Sequence, residues 1–148
     1  STAAASSTDL VLDGASVMEL IGDVVTAIPV TYAAVVRVNI TGASNLTINA
    51  SRAVTAFSVN SLQLLLTTRS RFEIVCAGHL QCPEHVGIAV ANAHANVAIT
   101  DGAALVAEAS SGGALVIGAG PKFGDDAREH TTSLRVANGA AISLVARG

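Results

Sequence analysis

Two stretches late in the chain share one pattern. Residues 96–110 (NVAITDGAALVAEAS) and 133–148 (SLRVANGAAISLVARG) each read as a strand, a Gly-Ala turn and a second strand. Each follows a shorter apolar run that closes on small residues, 86–91 (VGIAVA) and 114–120 (ALVIGAG). Such recurrence narrows the choice of fold sharply, because a unit this small buries its apolar face only against a like neighbour. Units spaced about 23 to 37 residues apart, with three short strands each, predict a coil of stacked layers.

The strands themselves alternate. Val36, Val38 and Ile40 fall on one face and Arg37 and Asn39 on the other; Leu46 and Ile48 repeat the phase. Phe72 and Ile74 flank Glu73, and Leu134 and Val136 flank an outward Arg135. This period of two is the signature of a strand with one buried face. Hydrophobic residues make up 51% of the chain and aromatics only 3%, so the interior must be built from Ala, Val, Leu and Ile. Small and β-branched side chains suit closely stacked strands. A sandwich of hairpins would show turn signals between like-length strands, whereas Asn-Gly occurs only at Asn138-Gly139. The expected fold is all-β, a right-handed parallel β-helix (β-solenoid) of about five short rungs, roughly 25 Å long at ~4.8 Å per rung.

One segment is ambiguous. Val17, Leu20, Ile21, Val24, Val25 and Ile28 fall at helical spacing, Ser16 and Glu19 form a capping-box pattern, and Pro29 would end a helix. Gly22 and the β-branched residues favour strands. A short N-terminal capping helix over the first rung is the alternative, since solenoid ends need covering. Residues 1–8 (STAAASST) read as a flexible start, and 9–148 as a single domain.

Composition excludes several roles. A net charge of −3 offers no basic face for nucleic acid, and no apolar run approaches the ~18 residues of a membrane span. The chain begins at Ser1 rather than Met, which reads as removal of a leader or excision from a longer chain.

Candidate chemistry sits in three places. Cys76, His79, Cys82 and His85 stand three residues apart, a donor set that suits zinc in type but leaves little chain to wrap it. A Cys76–Cys82 disulfide is favoured in a processed chain with two cysteines; free thiols remain open. Lys122, Asp125, Asp126, Arg128, Glu129 and His130 concentrate charge in one insertion. That loop reads as a binding loop, with carboxylates able to hold calcium, or as a solvated segment. Asn39, Asn45 and Asn49 each open a glycosylation sequon, which chance also supplies in turn-rich strands. Asp101 and Glu108 lie at turn or outward positions, and no nucleophile elbow, phosphate loop or zinc-protease motif occurs, so no enzyme and no cofactor are expected.

The motifs ELIGD (19–23), NLTI (45–48), VGIAV (86–90), VAITDG (97–102), ALVA (104–107), ALVIGAG (114–120) and LRVANG (134–139) together resemble those of a known group. The resemblance is to secreted Gly-rich repeat domains of bacteria and some protists, often labelled carbohydrate-binding domain-containing. It runs from Glu19 onward, although this chain is poorer in Gly and richer in Ala and Val. It implies an extracellular parallel β-helix; no sugar-site residue carries over. The expected function is a structural or adhesive module that associates through its solenoid ends or with neighbouring domains of a longer chain. Sugar binding is the second reading, weakened by a supply of aromatics limited to Tyr32, Phe57, Phe72 and Phe123. A polysaccharide-cleaving enzyme is a distant third.

Overall fold

A computed structural model describes residues 7–25, 28–31, 35–59, 61–76, 86–89, 94–109, 115–117 and 131–146. Among them every element is a strand. In chain order these are β1 (Ser7–Leu12), β2 (Val17–Val25), β3 (Ile28–Thr31), β4 (Val35–Ile40), β5 (Asn45–Val59) and β6 (Ser61–Leu66). They continue with β7 (Arg71–Cys76), β8 (Val86–Ala89), β9 (His94–Ile99), β10 (Ala104–Ala109), β11 (Leu115–Ile117), β12 (Thr131–Val136) and β13 (Ala141–Ala146). All pairings are parallel.

Two sheets result. The first is five-stranded, β1-β4-β6-β9-β12. The second is eight-stranded, with β2, β5, β7, β10 and β13 neighbouring in that order and β3, β8 and β11 joined through the second half of β5. The chain visits the first sheet, turns a corner, and enters the second, adding a strand on the same side at each pass. Successive passes are offset by 28 residues from Ser16 to Ser44, by 26 from Ser44 to Ser70, by 33 from Thr67 to Thr100 and by 37 from Asp101 to Asn138. The alignment of 96–110 with 133–148 is a structural register, since Asn96 pairs with Ser133 and Ala104 with Ala141.

The helical alternative for residues 16–28 is not what forms. Residues 17–25 and 28–31 are strands laid parallel to β5. Helical spacing loses because Val17, Val24, Val25 and Ile28 are β-branched, and because pairing along β5 supplies the backbone partners a helix would provide internally. Between Gly22 and Val24 the register slips, so that Ser51 and Arg52 of β5 oppose Asp23 alone. That bulge lies where β5 exchanges β7 for β8 as its neighbour, a natural place for a strand to bend.

The core lies between the sheets. Val36, Val38, Ile40, Leu62, Leu64, Leu66, Val97 and Ile99 come from the five-stranded sheet. Leu46, Ile48, Ala50, Phe72, Ile74, Cys76, Leu105 and Ala107 meet them from the other. Every one is at an inward position of its strand, as alternation predicts, and Phe72 is the largest.

The corners joining the sheets are the recurring device. Residues 13–16 (DGAS), 41–44 (TGAS), 67–70 (TTRS), 100–103 (TDGA) and 137–140 (ANGA) occupy equivalent places. In each, the second and third residues have positive φ: Gly14 and Ala15, Gly42 and Ala43, Thr68 and Arg69, Asp101 and Gly102, Asn138 and Gly139. This is the left-handed pair of a primed turn, used here to pass between sheets and not to close a hairpin. The corners hydrogen-bond to one another. The N–H of Ala15 donates to Gly42 O at 2.8 Å, Ala43 to Thr68 at 2.9 Å, Arg69 to Asp101 at 3.0 Å and Gly102 to Asn138 at 3.0 Å.

The fourth corner residue shows how sequence tunes this ladder. Ser16 N–H donates to Ser44 Oγ at 3.1 Å, and Ser44 N–H to Ser70 Oγ at 3.2 Å. Ser44 and Ser70 are buried, so these bonds occupy groups shielded from water. The next corner has Ala103 in place of a serine, and Ser70 N–H closes instead onto Thr67 O of its own turn at 3.2 Å. Ala103 and Ala140 close their own turns in the same way.

A comparison of two glycines isolates close packing from backbone strain. Gly42 and Gly139 share the left-handed conformation, but a Cβ at Gly42 would lie 2.6 Å from Asp13 Oδ1 and 2.8 Å from Gly14 N, whereas none is crowded at Gly139. Gly42→Ala is therefore expected to destabilise by about 1–3 kcal/mol more than Gly139→Ala in urea denaturation. Equal losses would show that the corner accommodates the methyl.

Candidate functional site

Two kinds of surface stand out among the described residues, the ends of the strand stack and the outer face of the five-stranded sheet. Inward residues of the middle passes are sealed by passes on both sides. The same columns surface at the C-terminal end. Val97 and Ile99 are buried, while their register partners Leu134 and Val136 are 49% and 43% exposed. Leu105 and Ala107 are buried, while Ile142 is half-buried and Leu144 is 58% exposed. At the other end Leu10, Leu12, Met18 and Leu20 pack on the core but remain half-buried. β1 and β12 are the edges of their sheet, so each carries backbone groups facing outward along one side.

The outer face of the five-stranded sheet carries two side-chain columns. Register aligns Asp9, Arg37, Gln63, Asn96 and Ser133 in one, and Val11, Asn39, Leu65, Ala98 and Arg135 in the other. A shallow depression of about 340 Å³ lies over them, with Arg37 and Arg135 in its lining and the amides of Asn39, Gln63 and Asn96 between. Leu65 gives it an apolar patch. Arg37 and Asp9 stand 3.8 Å apart, both well exposed, a pair that solvent screens to little value. Charged and amide groups on a shallow sheet face can hydrogen-bond a polar ligand. They bring together no nucleophile and base.

The corner at Asp101 is held to its neighbours by side-chain hydrogen bonds. Its carboxylate accepts from Thr67 Oγ1 at 3.0 Å and from Asn138 Nδ2 at 3.2 Å, while Thr100 Oγ1 lies 3.2 Å from Thr67 Oγ1. Glu108 is on an outward, half-buried position of β10.

Of the residues singled out from sequence, Cys76 ends β7, buried and disulfide-bonded. The other cysteine of the chain, Cys82, lies outside the described residues, as do His79 and His85. Lys122, Asp125, Asp126, Arg128, Glu129 and His130 also lie outside them. Asn39 sits half-buried in the depression, Asn45 is half-buried at the start of β5, and Asn49 is exposed. Among the described residues no group of three or more His, Cys, Asp or Glu is placed to hold a metal ion, and no helix is long and apolar enough to cross a membrane.

Sequence reading did not identify the corner ladder. Its signal was present in the tetrads, but DGAS and TTRS share only the final serine, so composition hides their equivalence. No family model matches the chain, and no curated protein or solved structure matches it.

A charged residue separates end from interior. Ile48, Ile74, Ala107 and Leu144 share one inward column across β5, β7, β10 and β13. Leu144→Lys is expected to change stability by less than about 1 kcal/mol and to lower the binding of an apolar fluorescent dye. Ile74→Lys buries an unpaired charge and is expected to prevent folding, read by circular dichroism. Similar behaviour of the two variants would mean that the last pass is covered.

Proposed function

We propose that this chain is a segment of a right-handed parallel β-helix that acts as an extracellular structural or adhesive element, with ends open to further stacking. The single observation that carries the reading is the exposure of the inward columns where they end at Leu134, Val136 and Leu144. Apolar columns that emerge beside unpaired strand edges favour continuation by another set of strands. Right-handed crossovers are the rule where parallel strands of one sheet are connected, which gives the coil its hand. The disulfide at Cys76 supports an oxidising location outside the cell. The reading assigns no reaction and no cofactor to the chain.

Its test is electron microscopy of concentrated protein. Rods or filaments longer than one chain are expected; strictly monomeric particles at all concentrations would overturn the reading.

A second reading, carbohydrate binding, is favoured by the amide-rich depression between Arg37 and Arg135. It lacks the aromatic platform on which sugar rings commonly stack. Binding on a glycan array that is lost in Asn96→Ala is the expected result if sugars occupy this face. A blank array removes the reading.

A further inference from the structure

The two ends of the stack match each other residue by residue. From this match we infer that a second copy of the chain docks its first pass, β1 and β2, on the last pass, β12 and β13, in the register that the internal passes already use. The inference rests on the stacking proposed above and specifies its partner, polarity and register.

Three sets of groups carry it. The first is the apolar column. Continuing the register places Leu134 beside Leu10 of the second copy, Val136 beside Leu12, Ile142 beside Met18 and Leu144 beside Leu20. All eight are apolar, and each is exposed or only half-buried in the single chain. Docking would bury them in the environment that Val97, Ile99 and Leu105 already have.

The second set is the corner backbone. Within the chain, the third corner residue donates to the second of the following pass, and the first corner residue and the residue after the fourth donate to the preceding pass. Thr67 N–H to Ile40 O at 3.0 Å and Arg71 N–H to Ser44 O at 2.9 Å are examples. The last corner offers Gly139 N–H and the carbonyls of Val136 and Ala140 in these roles. The first corner offers Gly14 O and the N–H groups of Asp13 and Val17. Donor meets acceptor at all three.

Charge is the third set. Arg135 has no acidic partner among the described residues of its own chain. In the continued register it lies beside Val11 of the second copy, flanked by Asp9 and Asp13, within diagonal reach of a long side chain. Ser143 lies directly beside Glu19, and Ala141 and Val145 beside the exposed Val17 and Ile21. Among the described residues no like charges face each other. A register slip of one residue would turn the apolar columns to solvent, so the pairing is narrowly specified.

The experiment uses sedimentation velocity of the whole chain over a wide concentration range. Ser143→Glu sets a carboxylate opposite Glu19 of the next copy and is expected to weaken association by at least about tenfold, with the circular dichroism spectrum and melting unchanged. Adding Glu19→Lys in the same chain is expected to restore association. Wild-type association that Ser143→Glu leaves untouched would overturn this register while end stacking stands. A wild-type chain that never associates would overturn both.

Discussion

Backbone hydrogen bonding between successive passes is the constraint to which the other features of this protein answer. A parallel strand has no partner in its immediate sequence neighbourhood, so each pass must find its donors and acceptors on the passes before and after it. The chain extends that ladder through its corners as well as its strands, by setting two adjacent residues in the left-handed region at each corner. Gly occupies some of these places. Ala15, Ala43, Thr68, Arg69, Asp101 and Asn138 occupy others, at a cost of roughly 1–2 kcal/mol per residue. The third corner, Thr67 to Ser70, contains no glycine at all and adopts the same shape. Its conformation is imposed by the corners stacked on either side and not by local preference.

Packing follows from the ladder. Once strands stack in register, each inward position becomes a column running through the molecule, and identity along a column is limited mainly by size. Leu46, Phe72, Leu105 and Ile142 form one such column. The interior thus tolerates variation between passes, which is why sequence repetition in this chain is visible as pattern and faint as identity. Serine at the fourth corner position fits the same logic. Ser44 and Ser70 place hydroxyls in a buried site where they accept from the N–H of the preceding corner, and where the following corner holds Ala103 the N–H of Ser70 closes onto its own turn.

The same ladder makes the ends the most consequential surfaces. Among the described residues, interior passes satisfy one another, while the first and last passes each pair on one side. Donor and acceptor roles at the two ends are complementary because every pass uses the same corner geometry. Each pass thus repeats, in its corner, the donor and acceptor roles of the pass before it. The outer face of the five-stranded sheet is different in kind, because its outward positions are free of the columnar constraint and hold Arg, Asn, Gln and Ser. That freedom is what a ligand-binding face would draw on.

Strand identity and face were legible from alternation alone. Val36, Val38, Ile40, Phe72 and Ile74 were placed inward by their spacing, and the pairing of Asn96 with Ser133 was visible as a recurring pattern. Parallel stacking was legible from the unit spacing, because units of one design bury their faces only on each other. Residues 16–28 were not legible, since Val17, Leu20, Ile21 and Val24 share one helical face but divide between the two faces of a strand, and partners on β5 decided for the strand. Nor could the chain's linear order show that DGAS and TTRS are the same corner, for their likeness lies in φ and in hydrogen bonds from other passes. The amino-acid sequence determined which side chains face inward, because period two is a local property of an extended chain. Only the tertiary structure decided which of those inward residues are covered, because Leu134, Val136 and Leu144 differ from Val97, Ile99 and Ala107 in having no further pass above them among the described residues.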